Sequence, residues 1–458
     1  MNIAGAQVVV VGMARSGIAA VELLHEKGAR VRAVDQNPVS GPELAKLNVR
    51  VEPQTDAAFA DADLVVLSPG VPSDVDVVQK TRRRGVKVVG DLELASWFLK
   101  GGIIGITGAN GKTTTTALVG HIFHASGIAA QVGGNIGTPP ASMVAMSREG
   151  QWNVLELSSF QLETIDRFRA HIGAALNVTP DHLDRHHTME NYAEAKARLF
   201  LNQTGDDFAV LNADDPICRS YASRGEGRPV WFSSTHAVSS PGAFLNGGRI
   251  LLDGTPLMAA SEVPLRGLHN LENTMAAAAT ALLAGATHVQ IRAAVMTFPG
   301  VEHRLEFVRS RNGVAWYNDS KATNVDATLK AIAAFSGGLW IILGGKDKNS
   351  DYSLLAGPLK ERAHAALLIG AAAEKIETQL RGVLPLIRCG TIDVAVAEAR
   401  SRAGSGDTVL LAPACASFDQ FENFEHRGRE FKRLVNALDE PARAAAGPDS
   451  NKEAGWQG

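Results

Sequence analysis

One stretch of the chain combines the residue types that hold nucleotide phosphates. Residues 107–116 read TGANGKTTTT and lie between an apolar run, Ile103 to Ile106, and a helical pattern that continues to Gly127. A glycine-rich turn from a buried strand into a helix directs backbone N–H groups and the positive end of the helix dipole at one place. Lys112 adds a mobile cation, and Thr113 is placed to bind Mg²⁺. The stretch therefore predicts a site for a nucleoside triphosphate.

The spacing of this turn departs from the usual phosphate-binding pattern. In that pattern a glycine stands five residues before Gly111, where this chain has Ile106. Gly108 supplies the flexible point instead, so we expect a variant turn with the same chemistry. A glycine-rich turn with a purely structural role is the alternative interpretation.

The composition is that of a soluble globular protein with several domains. The chain has 458 residues, of which 45% are hydrophobic and 20% charged, and its net charge is −3. No basic surface dominates, so nucleic acid is not an expected partner. Three widely spaced cysteines, Cys218, Cys389 and Cys415, fit a reducing compartment. The sequence shows neither a signal peptide nor a membrane-spanning run, so we expect a cytoplasmic protein.

Short apolar strands that alternate with helices predict an α/β fold with parallel sheets. We expect a Rossmann-like first domain at residues 1–92, a central P-loop ATPase-like domain at 93–298 and a Rossmann-like C-terminal domain at 299–440. Residues 441–458 have the composition of a disordered tail. The expected strands are Val8–Val11, Val31–Asp35, Leu64–Ser68, Lys87–Val89, Asn153–Leu157, Ile172–Val178, Val314–Tyr317, Leu339–Leu343, Ala366–Ile369 and Thr408–Leu411, and a helix is expected at Ser16–Lys27.

The turn after the first strand resembles a damaged dinucleotide fingerprint. It runs from Gly12 to Gly17, but Ala14 stands where the middle glycine belongs, which disfavours a nicotinamide cofactor. The turn can still bind one nucleotide diphosphate at the helix start, with Asp35 reaching a ribose or base. A plain structural turn is the other interpretation. The segment Ser68–Pro72 ends a strand at the same edge of the sheet, where ligands collect in such folds.

Polar residues follow two strands of the central segment. Glu156 ends one of them, and a P-loop protein usually places an acid there to hold Mg²⁺. After the other, the run from Thr179 contains His182 and His186, four residues apart. Zinc is disfavoured because the HExxH context is absent, so contact of one histidine with a phosphate-bound cation is the preferred interpretation. Helical spacing alone predicts that Lys196 is an ordinary exposed lysine.

Three loops of the last segment also follow strands. They are residues 318–324 (NDSKATN), 344–348 (GGKDK) and 412–418 (APACASF). Because parallel strands end at one edge of a sheet, their cations and hydroxyls would converge on an anionic small molecule or on the far side of the triphosphate. Cys415 has no evident adjacent base, which argues against a nucleophilic role.

In their order along the chain, these motifs resemble the signature of the ATP-dependent Mur ligases. The resemblance covers nearly the whole chain outside the tail. The motifs that carry it are TGANGKTT, the turn Glu156–Ser159, the run Asn177–Asp184 (NVTPDHLD), Gly267–Asn270 with Asn273, and His303-Arg304. Two further strings, Asp319–Asn324 and Ala414–Phe421, are similar to those of the members that add D-glutamate.

The resemblance implies an amide-forming enzyme of peptidoglycan precursor synthesis. In that family ATP converts the carboxylate of UDP-N-acetylmuramoyl-L-alanine to an acyl phosphate, the amine of D-glutamate displaces the phosphate, and ADP is released. The implied cofactors are two Mg²⁺ ions and CO₂, the latter as a lysine carbamate. We expect a monomer that is not inserted in a membrane.

The resemblance also implies roles for individual residues. The catalytic residues would be Lys112, Glu156, His182, Lys196 and Lys321. ATP would contact Gly108, Asn110, Gly111, Lys112, Thr113, Thr114, Asn270, Arg304 and Asp319. Mg²⁺ would be held by Thr113, Glu156, His182 and carbamylated Lys196. The muramoyl substrate would contact Arg15, Ser16, Gly17, Asp35, Ser68, Gly70, Asn135 and Ser158, and D-glutamate would contact Thr323, Lys348, Ser417 and Phe418, with Lys346 an alternative to Lys348.

Two classes of protein compete with this interpretation: a sister ligase and a nucleotide-dependent switch. A sister ligase could add a diamino acid, but the Asp-Asn-Pro-Arg motif of those enzymes is absent from the sequence; a folate polyglutamate synthase is the other near relative. A P-loop ATPase or GTPase acting as a switch would explain TGANGKTT but would leave His182 and Lys196 unused.

Overall fold

The computed structural model describes residues 3–37 and 42–439. The tail expected at 441–458 lies outside the described residues. The chain divides into two compact units, with the boundary between Val301 and Glu302. No helix of the described ranges is long and apolar enough to span a membrane.

The N-terminal part of the first unit is built on a parallel sheet of five strands. Its elements are β1 (Gln7–Val11), α1 (Arg15–Glu26), β2 (Arg30–Asp35), α2 (Pro42–Lys46), β3 (Val51–Pro53), β4 (Leu64–Leu67), α3 (Asp76–Arg83), β5 (Lys87–Gly90) and α4 (Asp91–Ser96). The strand order is β3-β2-β1-β4-β5, with all neighbours parallel. Val8–Val11 is fully buried because helices and loops cover both faces of the sheet. The expected Rossmann-like arrangement is confirmed.

A larger sheet of nine strands forms the rest of the first unit. Its elements are β6 (Gly102–Thr107), α5 (Lys112–Ser126), β7 (Ala130–Gly134), α6 (Pro140–Met143), β8 (Trp152–Glu156), α7 (Ser159–Glu163), β9 (Ile172–Ala175), α8 (Leu183–His186), α9 (Met189–Ala197), β10 (Phe208–Asn212), α10 (Pro216–Ser220), β11 (Arg228–Ser233), β12 (Gly242–Asn246), β13 (Arg249–Leu252), β14 (Thr255–Ala259), α11 (Leu268–Leu283) and α12 (His288–Thr297). The strand order is β14-β13-β12-β11-β10-β9-β6-β8-β7. Strands β12, β13 and β14 form an antiparallel meander that the sequence analysis did not predict.

One expected strand of this sheet is shorter than predicted. Ile172–Val178 was expected, but β9 ends at Ala175. The chain turns there because Asn177 binds the phosphate loop: its Oδ1 accepts the backbone N–H of Asn110 (2.8 Å), and its Nδ2 donates to the Asn110 carbonyl (3.1 Å). The residues taken for the end of a strand therefore support the loop instead.

The second unit is built on one sheet of six strands. Its elements are β15 (Glu306–Arg311), β16 (Val314–Asn318), α13 (Val325–Ala333), β17 (Leu339–Gly344), α14 (Ala356–Arg362), β18 (Ala363–Ile369), α15 (Ala373–Leu380), β19 (Leu386–Gly390), α16 (Ile392–Arg402), β20 (Thr408–Leu411) and α17 (Phe424–Asn436). The order is β15-β16-β20-β17-β18-β19, and only the pair β15–β16 of these described strands is antiparallel. The α/β class expected for this segment is confirmed.

The fully buried carboxylate of Glu93 links the five-stranded sheet to the nine-stranded sheet within the first unit. Glu93 of α4 accepts hydrogen bonds from the backbone N–H groups of Asp166 (2.9 Å), Arg167 (3.0 Å) and Phe168 (2.8 Å). The indole Nε1 of Trp97 donates to the same carboxylate (2.7 Å). These donors satisfy a charge that burial would otherwise make costly, so Glu93 fixes α4 against the segment that leads into β9.

Candidate active site

The phosphate loop lies between β6 and α5, as predicted. Gly111 caps the helix with a φ of +87°, and a side chain there would collide with the amide oxygen of Asn273. The Gly108 carbonyl accepts hydrogen bonds from two lysines, Lys112 Nζ at 2.8 Å and Lys196 Nζ at 2.9 Å. Two lysine side chains thus meet at one carbonyl of the phosphate loop at the start of a helix, a position that suits a polyphosphate.

Helix α11 supports this loop through its asparagines. Thr115 Oγ1 donates to Asn273 Oδ1 (3.4 Å), and Asn273 Nδ2 donates to Asn270 Oδ1 (3.1 Å). The expected nucleotide contact Asn270 is therefore linked to the loop by a chain of hydrogen bonds. The buried hydroxyl of Thr114 makes no hydrogen bond within the described residues.

Glu156 stands at the C-terminal end of β8, directly beside β6, and is buried. Asn135 Nδ2 donates to its Oε1 (3.2 Å), and the Asn135 backbone N–H donates to the Glu156 carbonyl (2.8 Å). Two residues expected to bind different ligands, a metal and the muramoyl substrate, are thus joined side chain to side chain.

The prediction from helical spacing that Lys196 is exposed is wrong. Its side chain is only 1% exposed, and Nζ lies 4.4 Å from the centre of the Tyr192 ring. Burial, and then the charge of Lys112, hold the pKa of this amine well below its usual value. A lowered pKa favours the neutral amine, which is the form that reacts with CO₂ to give a carbamate.

The two histidines of the α8 region have different surroundings. His182 caps α8 in the left-handed region (φ 53°), and its side chain is half exposed, 3.6 Å from Asp181. His186 is buried with Nε2 2.9 Å from Ser159 Oγ. The ring of Phe160 contacts both histidines. His186 is therefore occupied by the fold, whereas the His182 ring remains accessible to a ligand.

These residues fit Mg²⁺ bound together with nucleotide phosphates. Within the described ranges, no group of three or more His, Cys, Asp or Glu side chains is arranged to hold a metal ion alone. Mg²⁺ at phosphate sites usually takes one or two protein oxygens and completes its shell with phosphate and water. One buried carboxylate, Glu156, near the loop that bears Thr113 matches that need.

A cleft of about 480 Å³ opens at the carboxyl ends of the first sheet. It is lined by residues 12–16, 35–37 and 68–72 together with Gln54, Asn135 and Gln161. Asp35 shapes its mouth, because its carboxylate accepts the backbone N–H groups of Met13 (2.7 Å) and Asn37 (3.0 Å). Ser68 Oγ donates to the Gly12 carbonyl (2.7 Å).

Most of the residues expected to contact the muramoyl substrate and its UDP group meet in this cleft, and two do not line it. Arg15, Ser16, Asp35, Ser68, Gly70 and Asn135 are among the lining residues. Gly17 lies behind the turn, where a side chain would collide with the Gly12 carbonyl, so its smallness serves packing. Ser158 caps α7 in a capping box with Gln161. Gln161 lines the cleft and was missed, although the Ser-x-x-Gln spacing was a readable signal.

In the second unit, Arg304 and Lys321 surround a buried carboxyl. Burial raises the pKa of Asp319 to about 6, and the charges of Arg304 and Lys321 act against that rise. The backbone N–H of Lys321 donates to the His303 carbonyl (3.1 Å). The three residues expected at the nucleotide are therefore neighbours.

A buried arginine ties together two of the three predicted loops. The Arg427 guanidinium of α17 donates to the Ser320 carbonyl (2.8 Å) and the Cys415 carbonyl (3.2 Å). The third loop joins them through the backbone, where the Lys346 N–H donates to the Ala416 carbonyl (2.8 Å). The predicted convergence on one sheet edge is confirmed, and nothing in the sequence distinguished Arg427.

The residues expected at D-glutamate occupy this edge with different exposures. Ser417 is buried, Thr323 is half-buried, and Lys348 and Phe418 are exposed. Lys346 is also exposed, so the choice between the two lysines stays open. Burial raises the pKa of the Cys415 thiol to about 11, and Tyr352 Oη lies 2.9 Å from its sulfur. Such a thiol is a poor nucleophile.

Sequence comparison identifies relatives along the whole chain. The MurD-like N-terminal domain of the Mur ligases matches residues 6–90, the Mur ligase middle domain matches 106–281, and the glutamate ligase domain of the Mur ligases matches 303–415. A UDP-N-acetylmuramoylalanine–D-glutamate ligase of Solibacter usitatus is 58% identical over 96% of this chain and 99% of its own length. The chain belongs to the Mur ligase family, among the UDP-N-acetylmuramoylalanine–D-glutamate ligases.

Other comparisons agree with this membership. The ligase of the same name from Acidobacterium capsulatum is 50% identical over 95% of this chain and 97% of its own length. The solved structure of the UDP-N-acetylmuramate–alanine ligase of Thermotoga maritima aligns with a TM-score of 0.60 at 18% identity, covering 94% of this chain and 99% of that one. That likeness concerns the fold alone. As a Mur ligase, the chain is an ATP-dependent ligase with three α/β domains.

Proposed function

We propose that this Mur ligase joins D-glutamate to UDP-N-acetylmuramoyl-L-alanine in the cytoplasm, as a step of peptidoglycan precursor synthesis. The names of its relatives supply the two substrates. The observation that carries the chemistry is the convergence of Lys112 and buried Lys196 on the Gly108 carbonyl. The hydrogen bond between Glu156 and Asn135 supports a path from that point to the cleft.

The reaction proceeds through an acyl phosphate. A carboxylate is a poor electrophile, so one of its oxygens first attacks the γ-phosphorus of ATP, and ADP leaves. The amine of D-glutamate then attacks the activated carbonyl carbon. The amine loses a proton, the carbon–oxygen bond to phosphate breaks, and an amide and inorganic phosphate result.

The residues of the first unit bind and orient the reacting groups. The loop from Gly108 to Thr114 holds the phosphates, with Lys112 at the β- and γ-phosphates. Thr113, Glu156, His182 and the carbamate of Lys196 would hold two Mg²⁺ ions, which neutralise phosphate charge when bound. The lowered pKa of Lys196 supports the carbamate, since it favours the neutral amine, which is the form that reacts with CO₂.

The cleft at the first sheet holds the UDP part of the muramoyl substrate. Arg15, Ser16 and Gly17 belong to the turn at the start of α1, whose N-terminus suits a diphosphate. Asp35 and the loop that contains Ser68 and Gly70 form the walls, and Asn135 and Ser158 lie toward Glu156. From this position the amide of Asn135 would lie near the substrate carboxylate that becomes phosphorylated, a role that its hydrogen bond to Glu156 supports.

The second unit supplies the amino-acid site and further nucleotide contacts. Arg304, Asp319 and Lys321 serve the nucleotide, with Lys321 near its phosphates. Thr323, Ser417 and Phe418 receive D-glutamate, and Lys348 pairs with one of its carboxylates. We assign domain limits at 92/93 and 298/299 and a monomeric working form.

Phosphate release from ATP tests the proposal directly. Purified protein is incubated with ATP, Mg²⁺ and UDP-N-acetylmuramoyl-L-alanine, with and without D-glutamate, and then with a panel of other amino acids. We expect release that requires D-glutamate and yields the amide. Release with a different amino acid would change the substrate and keep the family, and release that needs neither substrate would reject the ligation.

A further inference from the structure

A fully buried carboxyl group lies beside the cleft that we assign to UDP. Asp91 begins α4 directly after β5, and its side chain is 1% exposed. Neither of its carboxyl oxygens makes a hydrogen bond of acceptable geometry within the described residues. Buried polar groups are almost always paired, so an unpaired carboxyl needs an explanation.

Two side chains of the cleft are the polar neighbours of this carboxyl. Ser16 and Gln161 lie close enough to Asp91 to lower its pKa as hydrogen-bonding neighbours, although neither reaches the geometry of a full hydrogen bond, and both line the cleft. The side-chain oxygen of Gln161 is occupied by Ser158, through its N–H and its hydroxyl, each at 3.2 Å. The amide nitrogen of Gln161 is buried and makes no hydrogen bond within the described residues. The amide nitrogen of Gln161 is therefore available to donate to a carboxyl oxygen of Asp91.

Asp91 is held in this position by the packing of the strand before it. The Gly90 N–H donates to the Thr164 carbonyl (3.3 Å), and a side chain at Gly90 would collide with the Thr164 hydroxyl. Two residues later, Glu93 fixes the same helix through its backbone ligands. This packing keeps the Asp91 carboxyl group away from water, so any hydrogen bond that it forms must be to the neighbouring side chains.

The surroundings favour the protonated form of this carboxyl. Burial is the main cause that raises the pKa of Asp91 to about 6, and the opposing contributions come from the helix backbone, Ser16 and Gln161. The titratable residues on the elements packed against α4 are Arg15, Glu22, His25 and Glu26 on α1, Glu163 on α7, Lys87 on β5 and Glu93 on α4 itself. A dianionic diphosphate in the cleft would further disfavour an ionised carboxylate.

We propose that Asp91 is a positioning residue for the UDP-linked substrate and that it acts as a neutral carboxylic acid. Its O–H donates to the hydroxyl oxygen of Ser16, which directs the Ser16 proton to a diphosphate oxygen in the cleft. Its carbonyl oxygen accepts the amide N–H of Gln161, which fixes the floor of the cleft. This inference rests on the proposed binding of a UDP-linked substrate in the cleft.

The role makes substrate binding dependent on a proton. Above about pH 6 the carboxyl of the unbound protein is mostly ionised. Binding must then take up a proton, so the Kd rises as the pH rises, by up to about tenfold per pH unit. Below about pH 6 the proton is already present, and the Kd becomes independent of this group.

Calorimetric titration of the full chain with UDP-N-acetylmuramoyl-L-alanine tests this linkage. The diphosphate diester and the carboxylate of this ligand keep their charge between about pH 6 and 8. Titration in two buffers of different ionisation enthalpy gives the number of protons taken up. For the wild type we expect roughly one proton per site at about pH 7.5 and the Kd slope above.

The variant Asp91→Asn separates positioning from a general structural role. The carboxamide is neutral at every pH and retains both a donor and an acceptor. We expect it to lose the proton uptake and to bind about tenfold or more tightly than the wild type at about pH 8. A folding defect cannot produce tighter binding. Glu22→Gln, which removes an exposed carboxylate from α1, is the matched control and should keep the wild-type slope.

Each outcome is decisive for one of the two claims. Wild-type binding without proton uptake, or an Asp91→Asn variant that keeps the wild-type slope, would overturn the role of Asp91 alone. Failure of the cleft assignment has a different signature: the wild type would not bind the ligand, or Asp35→Ala would bind it with unchanged Kd.

Discussion

Replacing Lys196 by methionine tests the proposed carbamate with little disturbance of the fold. Methionine has a similar length and belongs in a site that is 1% exposed. The variant loses one hydrogen bond, from Nζ to the Gly108 carbonyl at 2.9 Å, which costs about 1 kcal/mol. It also removes the cost of burying an amine. We therefore expect the free energy of unfolding to change by no more than about 1 kcal/mol.

The expected effect of Lys196→Met on catalysis is much larger. If the carbamate supplies anionic oxygens to Mg²⁺, its loss removes electrostatic stabilisation of the transferring phosphate. Losses of this kind are worth about 4 kcal/mol, which is about a thousandfold in kcat. The site expected at D-glutamate lies in other loops, so its KM should change little.

Phosphate release, urea denaturation and chemical rescue together form the assay. Lys196→Ala leaves a space that acetate or formate can enter, and we expect partial recovery of activity in those salts. Lys80→Met, which removes an exposed lysine, is the control for loss of a positive charge and should keep full activity. Activity of Lys196→Met within tenfold of the wild type would refute the reasoning, as would a loss of stability large enough to explain the inactivity.

Three other changes have defined outcomes. Lys348→Ala should raise the KM for D-glutamate well above any change in the KM for UDP-N-acetylmuramoyl-L-alanine; a larger effect of Lys346→Ala would move the contact to that residue. Glu93→Gln should lower the free energy of unfolding by about 3 kcal/mol in urea denaturation. The carboxamide NH₂ is a donor, so it cannot accept the hydrogen bonds from backbone N–H groups, such as that of Phe168, that the carboxylate accepts. An unchanged midpoint would contradict that role. Asp91→Asn should raise the free energy of unfolding by on the order of 3 kcal/mol at about pH 7.5 and not at about pH 4, because the raised pKa of Asp91 makes its ionisation unfavourable in the folded state. The same difference between variant and wild type at both pH values would contradict this prediction.

The strands and the phosphate loop were readable from the sequence because local pattern determines them. Val8–Val11 and Leu339–Leu343 are continuous apolar runs, as strands buried on both faces require. The antiparallel meander β12–β14 was missed although its turns left a signal. Gly247-Gly248 and Asp253-Gly254 all have positive φ, which is the backbone of two-residue hairpin turns.

The positions of several site residues could not be read from spacing, because contacts between distant segments decide them. Lys196 sits in an ordinary helical pattern, and only the packing of α9 against α7 and the loop buries it. The resemblance to the Mur ligases predicted a metal-binding role for Lys196, whereas helical periodicity predicted an ordinary exposed lysine. Arg427 donates hydrogen bonds to Ser320, 107 positions away, as well as to the nearer Cys415, and no local motif marks it.

The construction of the second unit affects how the specificity for the added amino acid can change in evolution. All six strands of its sheet come from residues 306–411, and Arg427 on the closing helix ties the loops of Ser320 and Cys415. The loops proposed to bind D-glutamate and the sheet that positions them therefore lie in one continuous segment of the chain. Recombination near the junction of Val301 and Glu302 would exchange the specificity for the incoming amine as a block, and the phosphate loop would be inherited unchanged.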